Sequence, residues 1–218
     1  MTAVLAYWNI RGLAAPIRYI LEYTKTPYED KVYTQGDDLN RAEWTDVKPT
    51  MTDFAFPNLP YFIDGDLHIT QSGAIMRYIA EKNNLAGATP AERAIIDMIA
   101  NEIIDLRSRF TSMCYNKDFE NLKPKHIENT PAWLLKFEKF YGNKKWICGD
   151  SITYADFMLY ELICQNLAVE PKMFENCPRL LEFHKLFEGL GFMKAYKTSP
   201  AYNRPFNNKS ATFGGKLL

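Results

Sequence analysis

The hydrophobic pattern of this sequence changes at about residue 84, and that change limits the folds open to the chain. Before it, short strand-like runs alternate with helical stretches, and after it the apolar residues recur at helical spacing. A short polar linker, Asn84–Thr89, separates the two patterns. We therefore predict two domains, an α+β domain at residues 1–83 and an all-α domain at residues 90–218.

The first part of the chain predicts the order β-α-β-α-β-β-α, which is that of a thioredoxin-like domain. Strands are expected at Ala3–Trp8, Asp30–Thr34, Tyr61–Ile63 and Leu67–Thr70. Helices are expected at Pro16–Tyr23, at Arg41–Asp46 and from an N-cap at Ser72 onward. The pair Asp64-Gly65 is a hairpin signal between the last two strands.

The second part predicts helices that begin at capping signals or at prolines. The segments Thr89–Glu92 and Thr153–Asp156 both have the capping-box pattern. Prolines suit the first turn of two further helices, Pro131–Tyr141 and Pro178–Phe187. The apolar run Phe157–Cys164 predicts a buried central helix, and the tail from residue 199 is expected to be irregular.

The charge balance argues against two classes of partner. Lys and Arg number 26, as do Asp and Glu, so the net charge is zero. Without a basic excess, we expect no non-specific binding to nucleic acid and no electrostatic attachment to anionic membranes. The sequence shows no apolar run of membrane-spanning length and no signal peptide, so we expect a cytoplasmic protein.

Cysteine and histidine positions predict no metal site. The cysteines are Cys114, Cys148, Cys164 and Cys177, and their spacings fit no common zinc or CxxC pattern. We expect reduced, mostly buried thiols. The histidines His68, His126 and His184 are isolated along the chain, and each is expected to be structural or exposed.

Three weak signals together suggest a site for a small extended peptide. Tyr7-Trp8 ends the first strand, where ligands gather in such folds, although an aromatic pair there is also typical of a core. Phe56–Pro60 precedes the third strand; it suits either a cis peptide that presents the Leu59 backbone to a ligand or an ordinary tight turn. Ser72 begins a helix whose positive end suits a carboxylate, although capping alone explains a serine there.

Five segments, in order, resemble the motifs of mu-class glutathione transferases. They are Tyr7-Trp8-Asn9-Ile10-Arg11-Gly12-Leu13, Phe56-Pro57-Asn58-Leu59-Pro60, Ile63-Asp64-Gly65, Ile69-Thr70-Gln71-Ser72 and Cys114-Tyr115-Asn116. The similarity extends essentially from residue 3 to residue 205. It implies the glutathione transferase fold, a homodimer, and glutathione as co-substrate with no permanently bound cofactor.

The resemblance implies a role for each matching residue, with Tyr7 as the catalytic residue whose hydroxyl donates to the glutathione sulfur. The further glutathione contacts it implies are Trp8, Leu13, Arg41, Trp44, Lys48, Asn58, Leu59, Gln71, Ser72 and, from the other subunit, Asp105. Arg41, Trp44 and Lys48 are expected to hold the glycine carboxylate. The Leu59 backbone is expected to pair with the cysteinyl unit, and Gln71 and Ser72 are expected to hold the γ-glutamyl end. Electrophile contacts are expected from Tyr115, Leu13, Thr111 and Asn207, and Phe56 is expected to insert into the partner subunit.

The chain departs from the family pattern at several places. Asn9 stands where the motif has an acid, and the loops on either side of Arg41–Lys48 differ in length from those of vertebrate members. Asn207 and Asn208 replace an aromatic residue and a serine, so we expect a more polar or more open electrophile pocket. These departures resemble invertebrate members.

The implied activity is conjugation of the glutathione thiolate to small hydrophobic electrophiles, a detoxification reaction. Two alternatives stay open. One is a non-catalytic protein on the same fold, either a ligandin-like carrier or a crystallin-like structural relative, and the other is a prostaglandin-type isomerase. The joint presence of Tyr7, Gln71, Ser72 and Asp105 favours the transferase.

Overall fold

A four-stranded mixed sheet forms the centre of the N-terminal part in a computed structural model, which describes residues 2–216. The strands are β1 (Ala3–Trp8), β2 (Tyr28–Tyr33), β3 (Tyr61–Asp64) and β4 (Leu67–Thr70). Their order is β2-β1-β3-β4, with β1 parallel to β2 and the other pairs antiparallel. The apolar strand β1 lies inside the sheet, whereas the charged β2 forms an edge, as its alternating sequence requires.

Three helices complete the predicted order, namely α1 (Ala15–Tyr23), the short α2 (Ala42–Thr45) and α3 (Ser72–Lys82). Arg18 ties α1 to β2 through Asp30 at 3.0 Å, and the Tyr78 hydroxyl ties α3 to β3 by donating to Asp64 at 2.8 Å. One boundary differs from the prediction. The helix α3 starts at Ser72, so Gln71 and not Ser72 occupies the N-cap position, and the Gln71 carbonyl accepts from the Ile75 N–H at 3.0 Å.

The remaining helices are α4 (Pro90–Cys114), α5 (Phe119–Tyr141), α6 (Tyr154–Val169), α7 (Pro178–Glu188) and α8 (Gly191–Tyr196). Both predicted capping boxes form, at Thr89 with Glu92 and at Thr153 with Asp156. Helix α6 is buried along almost its whole length and packs against α4 and α7, which confirms the predicted central helix. No helix of residues 2–216 is long and apolar enough to cross a membrane.

Helix α5 corrects one prediction, because it begins at Phe119 and not at Pro131. Both Pro124 and Pro131 lie inside the helix. Each proline removes one backbone hydrogen bond and would normally end a helix. The buried side chains of α5, which include Phe119, Leu134 and Phe137, recur at helical spacing across both prolines. Tertiary packing of this face outweighs the local cost.

By their internal contacts, the residues form two compact units. One comprises the chain up to Ile79 together with the segment from Tyr196 on, and the other comprises Ala80–Ala195. The C-terminal segment therefore groups with the first unit, whereas the predicted helical domain ran to residue 218. The N–H groups of Arg11 and Gly12 donate to the carbonyls of residues 205 and 206, at 2.8 and 3.1 Å.

Candidate functional site

Tyr7 lies at the end of β1, in contact with the loop that leads into α1. Its backbone pairs with Val32, and its side chain is 7% exposed. A methyl carbon placed on Gly12 would lie 2.6 Å from the Tyr7 Cε1 and 2.9 Å from its hydroxyl oxygen. The absence of a side chain at Gly12 thus makes room for the Tyr7 ring. Trp8 and Leu13, on either side of this loop, are half-buried.

The segment before β3 contains the predicted cis peptide, between Leu59 and Pro60. The Leu59 N–H donates to the Asn58 side-chain oxygen at 2.9 Å, so this donor has a local partner in the chain itself. The Leu59 side chain is buried and Asn58 is exposed. A peptide that pairs with Leu59 would have to displace this side chain, whose hydrogen bond is worth about 1 kcal/mol.

The end of β4 and the start of α3 lie beside that segment. The Thr70 hydroxyl donates to the Phe56 carbonyl at 3.0 Å, and Thr70 pairs with Tyr61 across the sheet. The next residue, Gln71, has φ of 71°, in the left-handed region that non-glycine residues seldom adopt. Such outliers concentrate at functional sites. The exposed Gln71 and the half-buried Ser72 therefore stand at the N-terminus of α3, where backbone N–H groups suit an anion.

Two exposed cations flank the short helix α2. Arg41 precedes it and Lys48 follows it, and neither side chain has an ion-pair partner among residues 2–216. Between them Trp44 is 6% exposed, and its ring lies 5.4 Å from that of Tyr33 and 6.3 Å from that of Tyr61. This aromatic cluster anchors α2 to the sheet and leaves the two cations available to a carboxylate.

The predicted residues of the second unit lie on α4. Asp105 is exposed in the middle of this helix. Thr111 and Tyr115 are one turn apart at its C-terminal end, where the Tyr115 N–H donates to the Thr111 carbonyl at 3.1 Å. Tyr115 is 36% exposed.

Asn207, predicted as an electrophile contact, belongs to the first unit and is 2% exposed. Its side-chain nitrogen donates to the Phe213 carbonyl at 2.9 Å, and its backbone N–H donates to the Gly214 carbonyl at 2.8 Å. Asn207 lines a cavity of about 1050 Å³ whose wall also includes Ile10 and Thr34. The amide nitrogen thus holds the C-terminal segment in shape.

His68 and His126 pack against other side chains, and residues 2–216 contain no cluster of His, Cys, Asp or Glu that could hold a metal ion. His68 stacks on Phe54 with ring centres 5.1 Å apart. The buried His126 lies 3.0 Å from the Asn166 side-chain oxygen, and burial lowers its pKa. In this part of the chain none of the four cysteines forms a disulfide bond.

Comparison with known proteins identifies the family. The family model of the glutathione S-transferase N-terminal domain matches residues 3–81, and that of the C-terminal domain matches residues 104–200. Glutathione S-transferase Mu 3 of Homo sapiens is 44% identical over 216 residues, 98% of this chain and 96% of that protein. The chain belongs to the glutathione S-transferase family, in its mu class. Glutathione S-transferase Mu 2 of Pongo abelii is likewise 44% identical, over 99% of this chain and all of its own.

Solved structures of glutathione S-transferases have the same fold. The Pi-class enzyme of Onchocerca volvulus superposes with a TM-score of 0.86 at 32% identity, over 97% of this chain and all of its own. The glutathione S-transferase Blo t 8 superposes with a TM-score of 0.90 at 30% identity, over 97% of this chain and 99% of its own. These similarities confirm the predicted family and fold class.

Two residues shape the loop after Tyr7, and the sequence places both, Arg11 and Gly12, in a turn and a family motif but gives neither a role. Gly12 has φ of 44° and a methyl group there would overlap Tyr7, so both backbone and space require glycine. The guanidinium of the buried Arg11 lies over the rings of Tyr202 and Phe206, at 4.8 and 4.5 Å from their centres. The sequence does contain a signal for the role of Gly12, since it is a glycine in a strand-to-helix turn. The position of the Arg11 guanidinium depends on rings of the C-terminal segment, which is distant along the chain.

Proposed function

We infer that this chain is a glutathione transferase that conjugates the thiolate of reduced glutathione to small hydrophobic electrophiles. The observation that carries the inference is the position of the Tyr7 hydroxyl, at the end of β1 and against a loop that has no side chain at Gly12. A donor at a strand end can be directed at a ligand atom in front of the sheet.

The proposed role of Tyr7 is to stabilise the thiolate of bound glutathione. A thiol with a pKa of about 8.5 is only about 3% ionised at pH 7. A hydroxyl that donates to the sulfur favours the charged form. A lowering of the glutathione thiol pKa by about two units corresponds to roughly 2.7 kcal/mol and makes most of it thiolate at neutral pH.

For the rest of glutathione we propose three groups of contacts. Arg41 and Lys48, with Trp44 between them, hold the glycine carboxylate. The Leu59 backbone pairs with the cysteinyl unit after the Asn58 side chain releases the Leu59 N–H. Trp8 and Leu13, on either side of the loop after Tyr7, add further contacts to glutathione. Gln71 and Ser72 hold the γ-glutamyl carboxylate, because the N-terminus of the 11-residue helix α3 carries a partial positive charge.

The glutamyl ammonium needs an acid, which we propose is Asp105 of the partner subunit in a homodimer. Asp105 is exposed on α4, which suits a contact across an interface. Phe56 is 79% exposed, which is unusual for so large an apolar side chain. We propose that Phe56 inserts into the partner subunit, so that the glutathione site is completed only in the dimer.

For the electrophile we propose contacts from Leu13, Thr111 and Tyr115. The Tyr115 hydroxyl would hydrogen-bond charge that develops on the electrophile. We assign Asn207 an indirect part, since its amide holds the C-terminal segment. The cytoplasmic location stays a prediction from the sequence.

The test compares Tyr7→Phe with the parent chain. We expect Tyr7→Phe to stay bound to immobilised glutathione while its conjugation of a chlorodinitrobenzene-type acceptor at pH 6.5 falls about ten- to hundredfold, because the thiolate fraction falls by that order. Tyr23→Phe, which lies at the end of α1, is the matched control and should keep both properties.

Two outcomes would contradict this function. Parent-like turnover in Tyr7→Phe would remove Tyr7 from the mechanism. Retention on glutathione without turnover in the parent chain would instead support the carrier.

A further inference from the structure

The second unit holds a cysteine–histidine pair that takes no part in the proposed reaction. The Cys164 sulfur, on α6, lies 3.5 Å from the His184 Nε2, on α7. Both side chains are partly exposed. An imidazole at this distance can accept the thiol proton, and the resulting imidazolium stabilises the thiolate, which is the nucleophilic form of cysteine.

The imidazole of this pair is held in place by an aromatic stack. The Tyr160 ring lies nearly parallel to His184, with ring centres 5.1 Å apart and planes at 23°. Tyr160 is fully buried and stacks on Phe187 as well, at 4.4 Å and 15°. Its hydroxyl donates to the Glu188 carboxylate at 3.3 Å. The orientation of His184 toward Cys164 is thus fixed by packing.

Two carboxylates lie one helical turn from the pair, and both accept hydrogen bonds from other side chains. Glu161, one turn before Cys164 on α6, is 1% exposed and accepts from the Gln165 side-chain nitrogen at 3.3 Å, and Glu188, one turn after His184 on α7, accepts from Tyr160. A carboxylate favours a protonated imidazole but disfavours a thiolate, so the proposal depends on the contact between Cys164 and His184 themselves. Lys185 is exposed next to His184 and suits the approach of an anionic reagent.

The other three cysteines lack these features. Cys114 is fully buried. Burial raises the pKa of Cys148 to about 12 and that of Cys177 to about 11, so both stay protonated at neutral pH. Among residues 2–216, a disulfide reagent at neutral pH therefore meets one thiol, that of Cys164, that is both partly exposed and in contact with an imidazole.

We propose that Cys164 is a site of reversible modification by glutathione disulfide, with His184 as the base that accepts the thiol proton. His184 accepts the thiol proton, and the Cys164 sulfur attacks one sulfur of the disulfide. A new sulfur–sulfur bond forms to Cys164 as the glutathione disulfide bond breaks. The departing glutathione thiolate takes up the proton, so the products are one mixed disulfide and one reduced glutathione. Excess reduced glutathione reverses the step.

The experiment exposes the reduced full chain to glutathione disulfide at neutral pH, blocks the remaining thiols and locates the adduct by peptide mass spectrometry. We expect the Cys164 peptide to carry the first and dominant adduct, and added reduced glutathione to remove it. His184→Asn should slow the reaction by at least about threefold, which follows from a tenfold smaller thiolate fraction partly offset by higher intrinsic nucleophilicity. His68→Asn is the matched control and should react at the parent rate.

Three results would overturn the proposal. The first is an adduct that appears at another cysteine before Cys164 or is spread evenly over the four. The second is an equal rate in His184→Asn and His68→Asn. The third is an adduct that excess reduced glutathione does not remove. If His184→Asn does not fold, the distribution of the adduct over the four cysteines of the parent chain still tests the proposal. The conjugation reaction proposed for Tyr7 is measured in a separate assay, so the two proposals can fail independently.

Discussion

Replacing Gly12 by alanine tests the packing of the loop against Tyr7. The added methyl carbon would lie 2.6 Å from the Tyr7 Cε1, whereas carbon atoms in contact lie about 3.5 Å apart. The Tyr7 ring, or the loop, must therefore move by about 0.9 Å. The positive φ of Gly12 adds about 1–2 kcal/mol of backbone strain for any residue that has a side chain.

The expected consequence for catalysis follows from the displacement. A misplacement of about 1 Å at a reacting group costs on the order of a hundredfold in rate. We expect Gly12→Ala to lower kcat/KM for conjugation about ten- to hundredfold and the free energy of unfolding by about 1–3 kcal/mol. Initial rates with a chlorodinitrobenzene-type acceptor and urea denaturation measure the two quantities.

Gly65→Ala separates backbone strain from displacement of Tyr7. Gly65 has φ of 61° in the turn between β3 and β4, and nothing lies within 4 Å of an added methyl carbon. We expect this variant to lose about 1–2 kcal/mol of stability through strain alone and to keep its activity.

A loss of activity in Gly12→Ala that is no greater than in Gly65→Ala would refute the role given to the contact between Gly12 and Tyr7. A double-mutant cycle adds a second check, because Gly12→Ala should change the activity of Tyr7→Phe far less than that of the parent chain. Additive losses would mean that Gly12 acts on catalysis by another route.

Two further predictions concern association and pH. We expect Phe56→Ala to raise the dimer dissociation constant about a thousandfold in sedimentation, since about 2 kcal/mol of apolar burial is lost twice in a symmetric dimer; equal dissociation in Phe56→Ala and Leu39→Ala, another exposed apolar residue, would contradict this. Burial lowers the pKa of His126, so the folded protein favours the neutral imidazole. The stability that follows from this preference is present above about pH 6.5, and it is lost at lower pH because the unfolded chain takes up a proton there more readily than the folded one. His126→Gln should therefore show a smaller loss of the free energy of unfolding in urea titrations between pH 7 and pH 5, and parallel curves for the two proteins would argue against it.

Much of the fold follows from local signals in the sequence. The capping boxes at Thr89 and Thr153, the hairpin at Gly65 and the buried run of α6 are each encoded within a few residues, and the structure confirms them. The start of α5 is missed because the cost of a proline is local, whereas the packing that overrides it at Pro131 is distant along the chain.

In the candidate site, too, some features follow from short sequence motifs and others depend on contacts that the motifs do not specify. Residue identities are suggested by the family motifs, and the cis peptide before Pro60 forms as expected. The bond from the Leu59 N–H to Asn58, the positive φ of Gln71 and the engagement of Asn207 with Phe213 depend on side-chain geometry that no motif specifies. The motifs therefore suggest which residues meet glutathione but not what those residues contact before it arrives.

The backbone partners of the loop after Tyr7 have a consequence for how the protein is made. The N–H groups of Arg11 and Gly12 donate to the carbonyls of Pro205 and Phe206, which a ribosome adds almost two hundred residues later. At about 5–20 residues per second, this delay is roughly 10–40 s. The nascent chain can form its sheet early, but the loop that packs against Tyr7 is completed only near the end of synthesis. If Tyr7 has the proposed role, the newly made enzyme gains its activity in a late step.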